Sequence, residues 1–292
     1  MELINLLSTS NVWLLTTVGL VSLMIGSFLN VVINRLPVMM EREWKQECME
    51  CLGSTDTETA SDNSPFNLVV PRSQCPECGH KITAWENIPV LSYLALGGKC
   101  RRCKTGISFQ YPLVEITTAA LSILVAYNFG FSKETAALLF MTWMLIPLFM
   151  IDAKTMLLPD SIVYPLLWVG ILLNMYGFFT SLEDSVIGAV TGYLSLWLIV
   201  HLFHLITGKF GMGHGDFKLL AALGAWGGWQ ILPFVIFAAS ALGAIFGIIW
   251  MIVKGQKESV PMPFGPWLAI PGFIALVWHK EIVSWTDQLF IP

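Results

Sequence analysis

Residues 231–253 read ILPFVIFAASALGAIFGIIWMIV, a run without a single charged side chain. A bilayer core about 30 Å thick needs roughly 20 apolar residues in a helix, so this run predicts a helix that spans a lipid bilayer. The composition agrees, because 55% of the 292 residues are hydrophobic and only 12% are charged. Soluble domains carry about 25% charged residues. These values argue against a water-soluble globule.

Other apolar runs extend this pattern along the chain. We predict further helices at about 12–34, 111–130, 135–151, 161–180, 185–207 and 264–283, and a weaker, shorter one at 218–229. The predicted fold class is therefore an all-α polytopic membrane protein with about eight transmembrane helices. Residues 218–229 are few for a full crossing, so a short helix and a re-entrant segment both stay open.

One polar segment interrupts the apolar pattern, because residues 41–110 carry 17 of the 36 charged side chains. We predict a first transmembrane helix at 1–35, a polar loop at 36–110 and a multi-helix membrane domain at 111–292. Residues 41–64 are charged and then rich in Ser, Thr and Asp, which is typical of a flexible loop.

The distribution of Lys and Arg predicts the orientation of the chain. Placing the polar loop in the cytoplasm puts the N-terminus outside, and alternation through eight crossings leaves only Lys133 and Lys280 outside among the 16 basic residues. This count favours a real crossing at 218–229. The net charge of −4 and the pI near 5.7 lack the basic footprint of a nucleic-acid-binding protein.

Four cysteines in the polar loop predict a metal site. Cys75-Pro-Glu-Cys78 and Cys100-Arg-Arg-Cys103 are two CxxC pairs separated by 21 residues, a spacing typical of a tetrahedral zinc site. Two disulfides are the alternative, but disulfides rarely persist in the reducing cytoplasm. Four thiolates fill the coordination shell of zinc, so we expect a structural role. Cys48 and Cys51 form a third CxxC without a fourth pair, and we predict free thiols there.

Acidic residues beside the predicted membrane helices are the second group of candidates. Asp152 follows the apolar run that ends at Ile151, and Asp216 begins the short segment within Gly211–Lys218. Both lie on the cytoplasmic side in the predicted topology. Like charges about 3 Å apart cannot both ionise, so two such carboxylates share a proton and supply one base and one acid. This pair predicts aspartyl-protease chemistry, in which an activated water attacks a peptide carbonyl.

The same residues also fit purely structural roles, and the sequence leaves that alternative open. Asp152 and Asp160 can cap helices, and Asp216 can pair with Lys218. Asp160 follows Pro159 and opens an apolar run, a pattern that favours an N-cap.

Two further polar residues have less specific roles. Glu115 lies in the first turn of a predicted helix, where it suits helix stabilisation and substrate contact equally. His214, beside Asp216, is more typical of a local hydrogen-bonding residue than of a general base.

Gly213-His-Gly-Asp216 carries a GxGD signature, and the ordered motifs of the chain resemble those of the type IV prepilin peptidase family. The resemblance covers nearly the whole chain. Its other motifs are 26–37, the cysteine pairs from 75 to 103, 111–115, Asp152 with 158–160, and 211–219. Members of this family are the bifunctional leader peptidases and N-methyltransferases of type IV pilus and type II secretion systems.

The resemblance implies that Asp152 and Asp216 are catalytic and cut type IV prepilins and pilin-like pseudopilins at the cytoplasmic face of the bacterial inner membrane. It implies that 111–292 is the peptidase domain and that the new N-terminal amine is methylated from S-adenosylmethionine. Bifunctional members carry the four-cysteine module, so both activities are expected. The chain has no glycine-rich strand–turn–helix of a soluble methyltransferase, so we expect the cofactor site in the cytoplasmic loop and nearby helix ends.

Two other classes of function remain alternatives at this level. A transporter would use membrane carboxylates as a proton or ion relay, but the acidic residues gather on one face and the sequence shows no inverted repeats. A non-enzymatic scaffold would use the zinc module to bind a partner, and its function would survive replacement of Asp152 and Asp216 by Asn.

Overall fold

The computed structural model describes residues 2–52, 66–208, 211–254 and 262–290, and within these ranges it is all-helical, with no β-strand. Its α-helices are α1 (Glu2–Thr9), α2 (Asn11–Leu52), α3 (Leu91–Ala95), α4 (Gln110–Phe129), α5 (Lys133–Thr155), α6 (Asp160–Asn174), α7 (Leu182–Thr207), α8 (His214–Gly227), α9 (Leu232–Lys254), α10 (Gly265–Val277) and α11 (His279–Phe290). The chain divides into two compact units, Met1–Tyr127 and Asn128–Pro292.

The apolar helices agree with the predicted membrane architecture. Five described segments are long and apolar enough to cross a bilayer: Asn11–Leu52, Gln110–Phe129, Lys133–Thr155, Leu182–Thr207 and Trp229–Lys254. The shorter apolar helices α6 and α10, together with α8, bring the number of apolar segments to the predicted eight. The prediction of an all-α polytopic membrane protein is confirmed.

In the first unit, α2 and α4 approach each other closely at Gly26. A Cβ on Gly26 of α2 would lie 2.8 Å from the Cα of Glu115 on α4, so only glycine allows these backbones to approach so closely. One turn further along α2, the side-chain amide of Asn30 donates to the carbonyl oxygen of Tyr111, at 3.0 Å. This hydrogen bond ties α2 to the first turn of α4.

Helix α2 continues well beyond its predicted end. We expected a helix to about residue 34 and a flexible loop at 41–64, but α2 is helical to Leu52, so the loop prediction was wrong for 41–52. This stretch contains mostly strong helix formers, and Lys45 and Glu41 form an i,i+4 ion pair at 2.7 Å. The rest of that predicted loop, residues 53–64, lies outside the described residues.

The second unit surrounds α8, in which eleven of fourteen residues are buried. Helices α6, α7 and α10 all contact it. With a rise of 1.5 Å per residue, α8 is about 21 Å long, which is shorter than a bilayer core of about 30 Å. Its apolar side chains therefore pack against other helices rather than against lipid.

Side chains from neighbouring helices satisfy the carbonyl groups at the end of α8. The Asn174 amide donates to the carbonyl oxygens of Ala225 and Trp226, both at 2.9 Å, and Ser185 also donates to that of Ala225. The carbonyl oxygen of Gly227 lies 2.9 Å from Nε2 of His279. Helix α6 ends at Asn174, six residues before the predicted end, and its last side chain makes these bonds.

The last predicted helix, 264–283, is two helices in the structure. Helix α10 ends at Val277, and Trp278 leaves the helical conformation with φ −110° and ψ 44° before α11 begins at His279. The prediction of one continuous helix was therefore wrong. The break at Trp278 precedes the histidine whose ring contacts the end of α8.

Glycines allow α7 to pack closely against α8. A Cβ on Gly192 would lie 2.8 Å from the carbonyl oxygen of Leu220, a backbone atom that cannot move aside. Gly192→Ala should lower the free energy of unfolding by about 1–3 kcal/mol, as overpacking does. Thermal unfolding in detergent measures this.

Gly243→Ala is the matched control, because a Cβ there would meet nothing closer than 3.4 Å, from Trp267. It should leave the unfolding temperature almost unchanged. Equal effects of the two substitutions would contradict the packing that we describe.

Candidate active site and metal centre

Asp152 lies in the last turn of α5, with only 4% of its surface exposed. Helix α5 ends three residues later, where Met156 adopts the left-handed conformation with φ 56° and its N–H donates to the Asp152 carbonyl oxygen at 2.9 Å. The Asp152 carboxylate accepts a hydrogen bond from the backbone N–H of Gly265, with 2.9 Å between the nitrogen and Oδ2. Gly265 is the first residue of α10, so the carboxylate faces a helix N-terminus.

Asp216 lies in the first turn of α8, where a carboxylate interacts favourably with the helix dipole. It is also buried, with 7% of its surface exposed. Among the described residues, its Oδ1 has no hydrogen-bond partner. A buried carboxylate oxygen without a partner is costly, and such groups concentrate at functional sites.

The structure places Asp152 and Asp216 near one common side chain, that of Leu158. The Leu158 side chain packs beside Gly265, whose N–H binds Asp152, and beside Gly215, the residue before Asp216. Cβ atoms added to these glycines would lie 3.2 Å and 2.9 Å from the Leu158 side chain. Two buried carboxylates of one unit thus lie near the same apolar side chain.

Gly265 is a residue of this site that the sequence analysis missed. A Cβ at this position would lie 2.7 Å from Oδ2 of Asp152, so the close approach of α10 to the carboxylate requires glycine. The signal in the sequence was Gly265-Pro266, a proline in the first turn of a helix with glycine before it. That pattern marks a helix start but does not indicate which carboxylate the start faces.

The other polar candidates of this unit take structural positions. Lys218 pairs with Asp160, at 2.8 Å from Nζ to each carboxylate oxygen, so the expected alternative in which Lys218 pairs with Asp216 was wrong. The N-cap of α6 is Pro159, and Asp160 is the first helical residue rather than the cap. His214 begins α8, and its ring packs on Phe217 with 5.5 Å between centroids.

The four cysteines of the first unit lie in two loops with the same backbone structure. Isolated antiparallel bridges join Gln74 to Lys81 and Lys99 to Gly106, one around each CxxC pair. In each loop the backbone carbonyl oxygen of the first cysteine accepts a hydrogen bond from the N–H four residues later, at 3.0 Å. The donors are Gly79 and Lys104, with φ of 65° and 62°.

The sulfur atoms of these cysteines form a compact cluster. All four lie within 4.8 Å of one another, with 3.7 Å between Cys75 and Cys103 and 4.0 Å between Cys78 and Cys100. A tetrahedral site with zinc–sulfur bonds of about 2.3 Å has sulfur–sulfur edges of about 3.8 Å. The cluster therefore matches the size of a zinc tetrathiolate site.

The surroundings of the cluster shift the pKa values of two of its thiols in opposite directions. Thr105, first through its hydroxyl and then through its N–H, lowers the pKa of the Cys103 thiol to about 6. At Cys78 a backbone hydrogen bond from His80 acts in the same direction, but burial and the neighbouring thiols outweigh it and raise the pKa to about 11. Metal binding requires all four groups as thiolates, so it releases protons.

Cys48 and Cys51 do not belong to this cluster. Both lie on the C-terminal part of α2 and are exposed. The free thiols that we predicted for this third CxxC agree with these positions.

Two models of known protein families together match most of the chain. Residues 20–129 match the bacterial peptidase A24 N-terminal domain, and residues 139–248 match the type IV leader peptidase family. No solved structure matches the chain.

Several curated proteins are similar over nearly their full length, and each is named prepilin leader peptidase/N-methyltransferase. The protein of Pseudomonas aeruginosa is 56% identical over 90% of this chain and 90% of its own length. That of Aeromonas salmonicida is 54% identical over 94% of both chains. That of Legionella pneumophila is 43% identical over 97% of this chain and 98% of its own.

The sulfur cluster predicts selective binding of a divalent metal. Titration of the purified protein with Co²⁺, which replaces Zn²⁺ in thiolate sites, should give the absorption of a tetrahedral cobalt thiolate at one ion per chain. Cys100→Ser should remove this absorption, because Cys100 is one of the four clustered thiols. Cys48→Ser is the matched control and should retain it. Loss of the signal in Cys48→Ser alone would contradict this assignment.

Proposed function

The chain belongs to the type IV leader peptidase family, and from this premise we propose that it cleaves the leader peptide of type IV prepilins and pilin-like pseudopilins and methylates the new N-terminal amine. The observation that carries the peptidase proposal is the pair of buried aspartates, Asp152 and Asp216, in one unit. We propose these two as the catalytic residues.

The proposed cleavage follows from the different surroundings of the two carboxylates. One aspartate, ionised, takes a proton from water as the water oxygen attacks the scissile carbonyl carbon. Its partner, protonated, donates to the carbonyl oxygen, and a proton then passes to the departing amine. The Gly265 N–H holds one oxygen of Asp152 at 2.9 Å, and Oδ1 of Asp216 is free of partners among the described residues. Oδ1 of Asp216, which has no partner in the described part of the chain, is the oxygen that we propose binds water or substrate.

The membrane setting supports the choice of substrate. Prepilins carry a basic leader ahead of an apolar helix, so their cleavage site lies at the surface of the membrane. We propose the bacterial inner membrane as the location, with the N-terminus outside and the aspartates facing the cytoplasm, because this orientation places 14 of 16 basic residues in the cytoplasm. The domain division at 36–110 and 111–292 is part of the same proposal.

We assign zinc to the four-cysteine cluster of Cys75, Cys78, Cys100 and Cys103. The sulfur–sulfur distances of 3.7 and 4.0 Å fit a tetrahedral ion, and four thiolates leave no coordination position for a reacting water. Zinc there would hold the two loops together. For the second activity, S-adenosylmethionine supplies the methyl group, as the name of the relatives implies.

Replacing either aspartate tests the peptidase directly. Asp152→Asn and Asp216→Asn keep the shape of the side chain but remove its acid–base function, so each should lower the cleavage rate by about 10² to 10⁴-fold or more. Mass spectrometry of a model prepilin, incubated with detergent-purified protein and S-adenosylmethionine, should show a product without its leader and heavier by one methyl group.

Asp287→Asn on α11 is the matched control, and it should cleave at the wild-type rate. Unchanged cleavage in both Asn variants would eliminate the aspartyl mechanism. Intact prepilin with folded wild-type protein would instead favour a transporter or a scaffold.

Gly265→Ala tests the positioning of Asp152 by α10. The added methyl group would lie 2.7 Å from Oδ2, so either the carboxylate or the helix must shift. Misplacement by about 1 Å can cost up to about 100-fold in rate, and we expect kcat to fall by at least about tenfold with a smaller change in KM. Steady-state kinetics on the model prepilin separate these parameters. Gly243→Ala, which has the space for a methyl group, should change neither, and a Gly265→Ala enzyme with wild-type kcat would contradict the positioning role.

A further inference from the structure

The first unit contains a cavity of about 610 Å³ that the aspartyl chemistry does not use. Its wall combines one face of α2, the start of α4 and the two cysteine loops. Small-molecule sites typically measure about 300–1,000 Å³. All of its lining residues lie between Ser27 and Glu115, so the cavity belongs to this unit alone.

Two buried polar side chains face this cavity from the membrane helices. Asn30 of α2 is 1% exposed, and its Oδ1 has no hydrogen-bond partner within the described ranges. Its amide nitrogen is occupied, because it donates to the carbonyl oxygens of Gly26 and Tyr111. These bonds fix the orientation of the Asn30 amide. Its oxygen is the polar atom that remains, and it can accept a hydrogen bond from a donor group of a ligand.

Glu115 of α4 supplies a carboxyl group at the same wall, with 7% of its surface exposed. It accepts hydrogen bonds from the backbone N–H of Val90, at 2.8 Å from Oε2, and from Ser27. No Lys, Arg or His is among the described partners of this carboxylate. A carboxylate in a membrane helix without a basic partner fits a cationic ligand.

The other carboxylate in the wall already has basic partners. Glu86 lies 3.2 Å from Nε2 of His80 and 3.8 Å from the Arg101 guanidinium, and it also accepts from the N–H and hydroxyl of Thr83. The Thr83 N–H, followed by its hydroxyl and His80, lowers the pKa of Glu86 below its ordinary value. Glu115 is thus the carboxylate of the wall that has no cationic partner.

We propose that this cavity binds S-adenosylmethionine, with the Glu115 carboxylate facing its sulfonium and the Asn30 oxygen accepting from one of its N–H groups. The inference rests on the methyltransferase activity proposed above and gives that activity a site. The ligand carries a positive sulfur beside a nucleoside, and the wall supplies a carboxylate, an amide acceptor and the aromatic rings of Tyr93 and Tyr111. A carboxylate, an amide acceptor and aromatic rings suit a nucleoside that carries a positive sulfur.

Methyl transfer at such a site needs no reactant other than the methyl donor and the pilin amine. The N-terminal amine of the cut pilin, after losing a proton to water, forms a bond to the methyl carbon. The carbon–sulfur bond breaks with its electron pair on sulfur, so the positive charge passes from sulfur to the new secondary ammonium. A carboxylate beside the sulfonium therefore favours the methyl donor over its neutral product, S-adenosylhomocysteine.

Equilibrium dialysis of the full-length, detergent-purified protein with labelled S-adenosylmethionine and S-adenosylhomocysteine tests the proposal. Glu115→Gln keeps an acceptor for the Val90 N–H but removes the charge. It should weaken binding of S-adenosylmethionine by about tenfold or more, as loss of a buried charge partner does, and change S-adenosylhomocysteine binding much less. Ser92→Trp, which places an indole in the cavity wall, should weaken both ligands.

Glu43→Gln, an exposed carboxylate on α2, is the matched control and should bind both ligands like the wild type. Zinc content and elution on size exclusion verify the fold of each variant. Wild-type binding in both Glu115→Gln and Ser92→Trp would overturn the cavity assignment while the methyltransferase proposal stands. Equal loss of both ligands in Glu115→Gln, with Ser92→Trp unaffected, would show that Glu115 is structural. A wild-type protein that neither binds nor transfers methyl would overturn the methyltransferase proposal itself.

Discussion

Helix α8 must satisfy its backbone polar groups inside the protein, because other helices enclose it and it is about 21 Å long. Asn174 and Ser185 supply donors for the carbonyl groups near its end, and His279 contacts the last of them. Close helix contacts at Gly192 make this enclosure possible. The first turn of α8 is fixed as a consequence, and Asp216 lies in that turn.

Burying two carboxylates in an apolar bundle requires compensation, and helix N-termini supply it here. Asp216 lies in the first turn of α8, and Asp152 accepts from the first N–H of α10. The positive ends of two helix dipoles thus face two acidic groups, which offsets part of the cost of removing them from water. A lysine or arginine would supply stronger compensation but would hold both carboxylates ionised, whereas helix ends permit one of them to keep a proton.

The sequence predicted the membrane fold well because apolar length alone determines a spanning helix. It also predicted the cysteine cluster, since CxxC spacing constrains sulfur geometry locally. It failed where the outcome depends on partners distant in the chain. The partner of Lys218 is Asp160, 58 positions away, and the N–H that binds Asp152 belongs to Gly265. The helical extension of α2 was missed for a different reason, because charge was taken as a loop signal although the residues at 41–52 favour helix.

The segment between the two membrane helices of the first unit buries too few side chains to form an apolar core of its own. From residue 66 to 108, the buried side chains are those of Cys75 and Cys100 alone. A segment of this size without an apolar core gains little stability from burial, and small domains of this kind rely on metals or disulfides. The two loops that carry the cysteines also form part of the wall of the cavity that contains Asn30 and Glu115. The proposed metal ion would join these loops and so stabilise one wall of the proposed ligand site, without taking part in the reaction.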